Sequence, residues 1–304
     1  MRLRLGLGSL LSAQSRMLPY VRLTTINGLS LLSLERDFHS QITHLNSDYN
    51  AISLLISEIL QLHKESLFGV SHSEVGSLIK EIRSDIYSYS PLKYDSFKID
   101  SNPKDDLFRA ALSRVLIIYC KKKDLFLPKC DYSVNLDRNI YTDMMYVVDI
   151  GKVYQIHFEK TLFSLNKRIL LNVLKNIIRS ERILKYIVDF IHLSVNEFQL
   201  INHTYGIPPI GLLSSTLLNI YLTILDNEVA RSLYDLAYFR NHYEAYLIIP
   251  NNYDNDNEYY SLFNYMEHEL HIQFDLIMLT PGSEPIPCIG GLLSLNNNMM
   301  KLIN

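Results

Sequence analysis

The acidic run Asn251-Asn-Tyr-Asp-Asn-Asp-Asn-Glu258 clusters the oxygen ligands that hard divalent cations take. A calcium loop also needs a glycine at its sharp turn and a glutamate at its end. Neither is in place, so the run reads as a polar loop. Cys120, Cys130 and Cys288 show no metal-ligand spacing and cannot all pair, which suits a reducing compartment. His39, His44, His63 and His72 are scattered, and each reads as an isolated surface or core histidine. Lys121-Lys122-Lys123 is a short basic run, equally suited to a phosphate backbone or to a solvated helix end. Gly206-Ile-Pro-Pro-Ile-Gly211 is a different device. Its glycines supply backbone freedom and its prolines rigidity, so the main chain can approach a neighbour closely.

These residues need elements to position them. After the Gly206–Gly211 loop a long helix is expected, with Ser214 or Ser215 as N-cap, running through Asp226. It is apolar over most of its circumference and is therefore expected to be buried. Helical spacing recurs at Ile52, Leu55, Ile56, Ile59, Leu60 and Leu62, and again at Val75, Leu78, Ile79 and Ile82. Pro103 marks a helix start, and Ile169–Ile178 and Ile183–Ile191 form two more apolar faces. Residues 86–99 read as extended, 146–157 as strand, 237–249 as a β-hairpin and 259–272 as an amphipathic helix.

The chain has 304 residues, enough for one large or two small domains, and is 48% hydrophobic. No apolar run approaches the ~18 residues of a membrane span, so no span is expected. A net charge of −3 argues against strong autonomous RNA binding, because phosphate neutralisation supplies most of such affinity. Any basic surface must be local. Residues 1–28 form a basic N-terminal arm or a mitochondrial targeting-like segment, carrying Arg2, Arg4, Arg16 and Arg22.

The stretch from Gly206 to Asp226 resembles the loop-helix of group II intron reverse transcriptases and maturases, G-[IV]-P-Q-G-G-x-x-S-P-x-L-x-N-I-Y-L-x-x-x-D. Gly206, Pro208, Gly211, Ser214, Leu217, Asn219, Ile220, Tyr221, Leu222 and Asp226 fall in register. Pro209, Ile210 and Ser215 depart from it. Further likenesses follow in the family's order. The segment 86–99 is similar to its entry into the fingers, although Lys93 and Lys98 are the only cations where relatives touch template. Asp106, Ala110, Ala111 and Leu116 match a fingers helix, Ser164–Leu174 matches "S-I-N-H-x-x-L-L-x-x-L", and Pro287–Leu293 resembles the strand that closes the palm. The resemblance implies an α+β fold: reverse-transcriptase-like fingers and palm, a small antiparallel sheet packed against helices, and a helical N-terminal region. The expected organisation is 1–28 arm, 29–145 helical and fingers-like, and 146–304 palm-like, with no thumb or maturase domain.

Polymerases of this family hold two Mg²⁺ ions on carboxylates, one from a strand ahead of the "S-I-N-H" helix and two from a "Y-A-D-D" hairpin. Carried onto this chain, the first position falls on His157 and the paired ones on Glu244 and Ala245. A rival alignment places Asp149 at the first position, at the cost of an eight-residue insertion; Ala245 remains under either. The family's "K-T" falls near Met278-Leu279, and Pro209 replaces a glutamine that faces the incoming nucleotide in relatives. The resemblance thus implies a degenerate site with no catalytic residue, no bound metal and no cofactor.

The expected function is that of an inactive reverse-transcriptase-like component of an organellar ribonucleoprotein, foremost the mitochondrial ribosome. Its partners would be proteins and ribosomal RNA, with RNA touched through Lys121–Lys123 or Arg2, Arg4, Arg16 and Arg22, and no small-molecule substrate is expected. The alternatives are a non-polymerising group II splicing maturase and, less favoured, an active RNA-directed DNA polymerase. Mitochondrial matrix is the expected location, whether the chain is imported or organelle-encoded.

Overall fold

Short apolar periods of 3.6 and of 2 along this chain become helices and antiparallel strands. The computed structural model describes residues 48–95, 98–126, 132, 139–193, 204–232, 236–251, 253, 256–288, 291–296 and 299–303. The segment 1–28 with its four arginines, together with His39, His44 and Cys130, lies outside them. In chain order come helices α1 (Asp48–Lys64) and α2 (His72–Arg83), the short strands β1 (Lys93–Asp95) and β2 (Lys98–Asp100), and α3 (Pro103–Lys122). Then follow α4 (Ile140–Met145), β3 (Ile150–His157), α5 (Thr161–Ser164), α6 (Lys167–Ile177) and α7 (Glu181–Ile191). The long α8 (Gly211–Ser232) leads into β4 (Ala237–Asn241), β5 (Glu244–Pro250) and α9 (Asp256–Asn264), which continues as a π-helical turn over Tyr265–Glu269. β6 (Asp275–Leu279), β7 (Ile286–Cys288), β8 (Gly291–Asn296) and β9 (Met299–Ile303) close the described chain. The class is α+β with small antiparallel sheets.

Contacts divide the chain into two units, neither continuous in sequence. One contains Asp124–Asn166 and Leu218–Asn304; the other contains, among described residues, 48–123 and Lys167–Leu217. The motif-based boundary at 145/146 cuts differently, since α6 and α7 belong with the N-terminal helices.

The helical unit is built on apolar stripes. Ala51, Ile52, Leu55, Ile56, Ile59 and Leu62 bury one face of α1, each large side chain contributing about 1.5–3 kcal/mol. Its helix starts are written in the sequence. Ser71 and Glu74 make a reciprocal capping box on α2, Asn102 caps α3 ahead of Pro103, and Ser180 caps α7. Ser180 also donates to Asp48 at 2.5 Å, which ties the start of α7 to the start of α1. The buried Arg114 of α3 reaches Glu65 at 3.0 Å and Glu58 at 3.6 Å.

The strand-rich unit carries a four-stranded antiparallel sheet ordered β4-β5-β3-β6 and a three-stranded sheet ordered β7-β8-β9. Alternation along β3 sends its side chains to two faces. On one face Val153, with Tyr246, Ile248 and Leu279, packs on Leu293, Leu295 and Met300 of the smaller sheet and on Tyr141 and Met144 of α4. On the other, Tyr154 meets the rings of Tyr259 and Phe263 from α9. Gly151 lies at a register irregularity between Ile150 and Lys152, where a Cβ would sit 2.8 Å from the Cα of Asn251. The close approach of two backbones requires glycine there.

Candidate functional site

Strand register decides which of the expected metal-ligand positions meet. His157, the last residue of β3, lies opposite Glu244 of β5 and opposite Asp275 of β6. Glu244 follows the two-residue turn His242-Tyr243, in which His242 takes a φ of 53°. Directly opposed residues in antiparallel strands share a face, so Glu244, His157 and Asp275 form one row. Asp149 falls elsewhere. It precedes the far end of β3, where its carbonyl accepts from Asn251 N–H at 2.8 Å, about 26 Å from His157 at ~3.3 Å per residue. It cannot share an ion with Glu244. Ala245 pairs with Ile156, is fully buried and points to the face opposite Glu244.

The side chains in this row are engaged separately. Glu244 is 4% exposed, and its Oε1 accepts from Gln155 Nε2 and from the Tyr246 hydroxyl at 2.5 Å. Gln155, fully buried on the same face of β3, also donates to the Pro287 carbonyl of β7 at 2.9 Å. Its Oε1 is buried without a hydrogen-bond partner, at a cost of about 1–3 kcal/mol. Asp275 pairs with Lys160 at 2.6 Å. Among the described residues, no group of three or more His, Cys, Asp or Glu side chains could hold a metal ion.

Burial, and then the neighbouring Glu244 charge, push the Tyr246 hydroxyl far above the ordinary phenol value. Burial also raises the Tyr141 hydroxyl and the Cys288 thiol. All three stay protonated at neutral pH, so the cluster offers neither a thiolate nor a phenolate as nucleophile. It is chemically a hydrogen-bonded pin beneath β7. Gln155, Tyr246 and Tyr141 were not singled out from the sequence, and Cys288 was read only as a cysteine without metal-ligand spacing. The available signal was period two: Gln155 stands two before His157, and Tyr246 two after Glu244.

The Gly206–Asp226 stretch places its residues as follows. Gly206 and Gly211 have φ of 75° and 66°, the left-handed region that favours glycine. Pro208, Pro209 and Ile210 are buried. The helix starts at Gly211, so Ser214 and Ser215 are inside it and neither is the N-cap. Ser214 instead ties the first turn to the loop, its Oγ accepting from Ile210 N–H at 3.0 Å and lying 2.5 Å from the Pro208 carbonyl. The expectation failed because capping chemistry was sought at the first serine, whereas glycine already turned the chain three residues earlier.

Farther along α8, Tyr221 donates to the Leu270 carbonyl at 2.5 Å. Asp226, fully buried, takes Arg240 of β4 in a bidentate pair, Nε–Oδ1 2.8 Å and Nη2–Oδ2 2.6 Å. Asn219 accepts from Arg240 Nη1, and Tyr238 donates to Asp226 at 3.2 Å. Asn219 and Asp226 of α8 therefore anchor the hairpin.

Lys121 and Lys122 end α3 and Lys123 caps it; all three are exposed. His63 and His72, read separately in the sequence, face each other across the α1–α2 corner. No helix among the described residues is long and apolar enough to cross a membrane. No family model matches this chain, and no curated protein matches its sequence.

Proposed function

We propose that this chain is a catalytically inactive reverse-transcriptase-like protein acting as a structural and interaction component of an organellar ribonucleoprotein, foremost the mitochondrial ribosome. One observation carries the inactive part of the reading. The carboxylate at the expected metal position, Glu244, is buried and bonded to Gln155 and Tyr246 beneath the Pro287 backbone, while its neighbour Ala245 supplies no ligand. Two-metal phosphoryl transfer needs several convergent carboxylates on an accessible face. An imidazole at 157, a pinned glutamate and an alanine do not meet that need.

In the proposed role the scaffold binds proteins through its surface and RNA only locally. The exposed Lys121–Lys123 run is the described basic segment suited to phosphate, and the four N-terminal arginines would add to it. The overall charge of −3 fits a protein held by neighbours and not by RNA alone.

Sedimentation of organellar particles after a high-salt wash tests the assembly. The chain should stay with ribosomal particles, and its appearance as a free, low-mass species would overturn the reading. Depletion that leaves ribosomes intact but accumulates unspliced organellar introns would favour a maturase. Primer extension with Mg²⁺ or Mn²⁺ should yield no template-dependent cDNA, and any such product would refute the inactive site.

A further inference from the structure

We propose that His63 and His72 form a two-histidine site for a borderline divalent transition metal such as Zn²⁺, Ni²⁺ or Cu²⁺. His63 occupies the last turn of α1 and His72 opens α2. Their Nε2 and Nδ1 atoms face each other at 2.5 Å, with the rings edge to face and centroids 4.6 Å apart. Two imidazole nitrogens that close require a single proton between them. A metal ion exchanges for that proton on the same pair of converging lone pairs.

The backbone holds both ligands in place before any ion arrives. The connection reverses at Ser66 and Gly69, whose φ values are 55° and 63°, and the Ser71–Glu74 capping box fixes the first turn of α2. Leu62, Val70 and Val75 are buried at the same corner. Each histidine thus sits on a helix end and not on a loop, which lowers the ordering cost of chelation.

A cavity of about 120 Å³, lined by His63, Ser66, Phe68, Gly69, Val70 and Leu107, opens beside His63. A two-histidine ion also needs water ligands, and His72 is exposed to solvent. Zn–N bonds of about 2.0–2.1 Å in tetrahedral geometry put ligand nitrogens about 3.3 Å apart, so the rings must part by under ~1 Å. His72 is exposed and can swing by that amount. The nearby carboxylates are engaged: Glu65 with Arg114 and Gln61, and Glu74 with Ser71. With two imidazole nitrogens as its protein donors, the site selects against Mg²⁺ and Ca²⁺, which take oxygen.

The test is calorimetric titration of the metal-stripped full chain with ZnCl₂ at neutral pH, paired with thermal unfolding. One ion should bind per chain and raise the unfolding midpoint, and MgCl₂ should do neither. His63→Ala and the exposed His72→Ala should each abolish both effects, while His192→Ala leaves them unchanged. Because His63→Ala could disturb α1, His72→Ala is the deciding variant. Zn²⁺ binding that is absent from the wild type, or that persists in His72→Ala, overturns the proposal.

Discussion

Replacing Asp226 by Asn should be among the most damaging single changes in the strand-rich unit. Asp226 and Arg240 are both fully buried, and two charge-assisted hydrogen bonds at 2.8 and 2.6 Å join them. Asn at 226 keeps the shape and one acceptor oxygen but removes the countercharge from a buried guanidinium. Removing one member of a buried pair costs about 3–5 kcal/mol, mostly the desolvation of the charge left behind. Asn219→Ala, which removes the Oδ1 that accepts from Arg240 Nη1, should cost about 1–3 kcal/mol. Replacing the pair together, as Asp226→Leu with Arg240→Met, should cost less than Asp226→Asn alone, since neither charge remains buried. Urea unfolding at neutral pH measures all of these, provided the slope m stays constant so that midpoint shifts report stability. If Asp226→Asn unfolds within about 0.5 kcal/mol of wild type, the pair is not what anchors the hairpin to α8.

Two glycines should respond in opposite directions. Gly151→Ala drives a methyl against the Asn251 backbone and should destabilise by about 1–3 kcal/mol, whereas Gly76→Ala in α2 meets open space and should stabilise by about 0.5–1 kcal/mol. Thermal unfolding of both variants distinguishes them, and equal shifts would contradict the packing at Gly151. The buried Glu58 gives a pH dependence. Burial raises its carboxyl above the ordinary 4.5, opposed by Arg114. Such a group binds its proton more tightly when folded, so its contribution is full below the unfolded value and lost as pH rises through the folded one. Glu58→Gln should therefore gain on wild type between acid and neutral pH in urea midpoints; a wild type that gains instead would reverse the sign.

The start of α3 was readable because Pro103 is a local signal, whereas α7 was read from its apolar face alone and its cap, Ser180, was not singled out. The β4–β5 hairpin was also readable locally, its strands being joined by two residues. The row Glu244–His157–Asp275 was only half readable. Alternation gives a face, but register across strands so distant in sequence is set by packing. The engagement of Glu244 could not be foreseen, because it depends on Gln155 and on a backbone carbonyl at Pro287 brought in by another sheet. The His63–His72 pair escaped notice for a related reason. Nine residues correspond to no fixed metal-binding interval, and only the reversal at Ser66 and Gly69 brings the rings together. Ser214 shows the opposite failure, a residue of the right type at the right place that performs a different local task.

The strand order β4-β5-β3-β6 has a consequence for how the protein is made. β3 is central, yet its partners β5 and β6 are both later in the chain; Gln155 and Glu244 are 89 positions apart. At about 5–20 residues per second, β3 leaves the ribosome some 4–18 seconds before β5 exists. During that interval Val153, Tyr154 and Ile156 are an unpaired, strongly β-forming segment with both edges open. Synthesis of this chain thus contains a waiting period in which β3 is open to pairing with other strands. Damage to the β4–β5 hairpin would accordingly be felt first as lost yield of new protein, ahead of any weakening of molecules already folded.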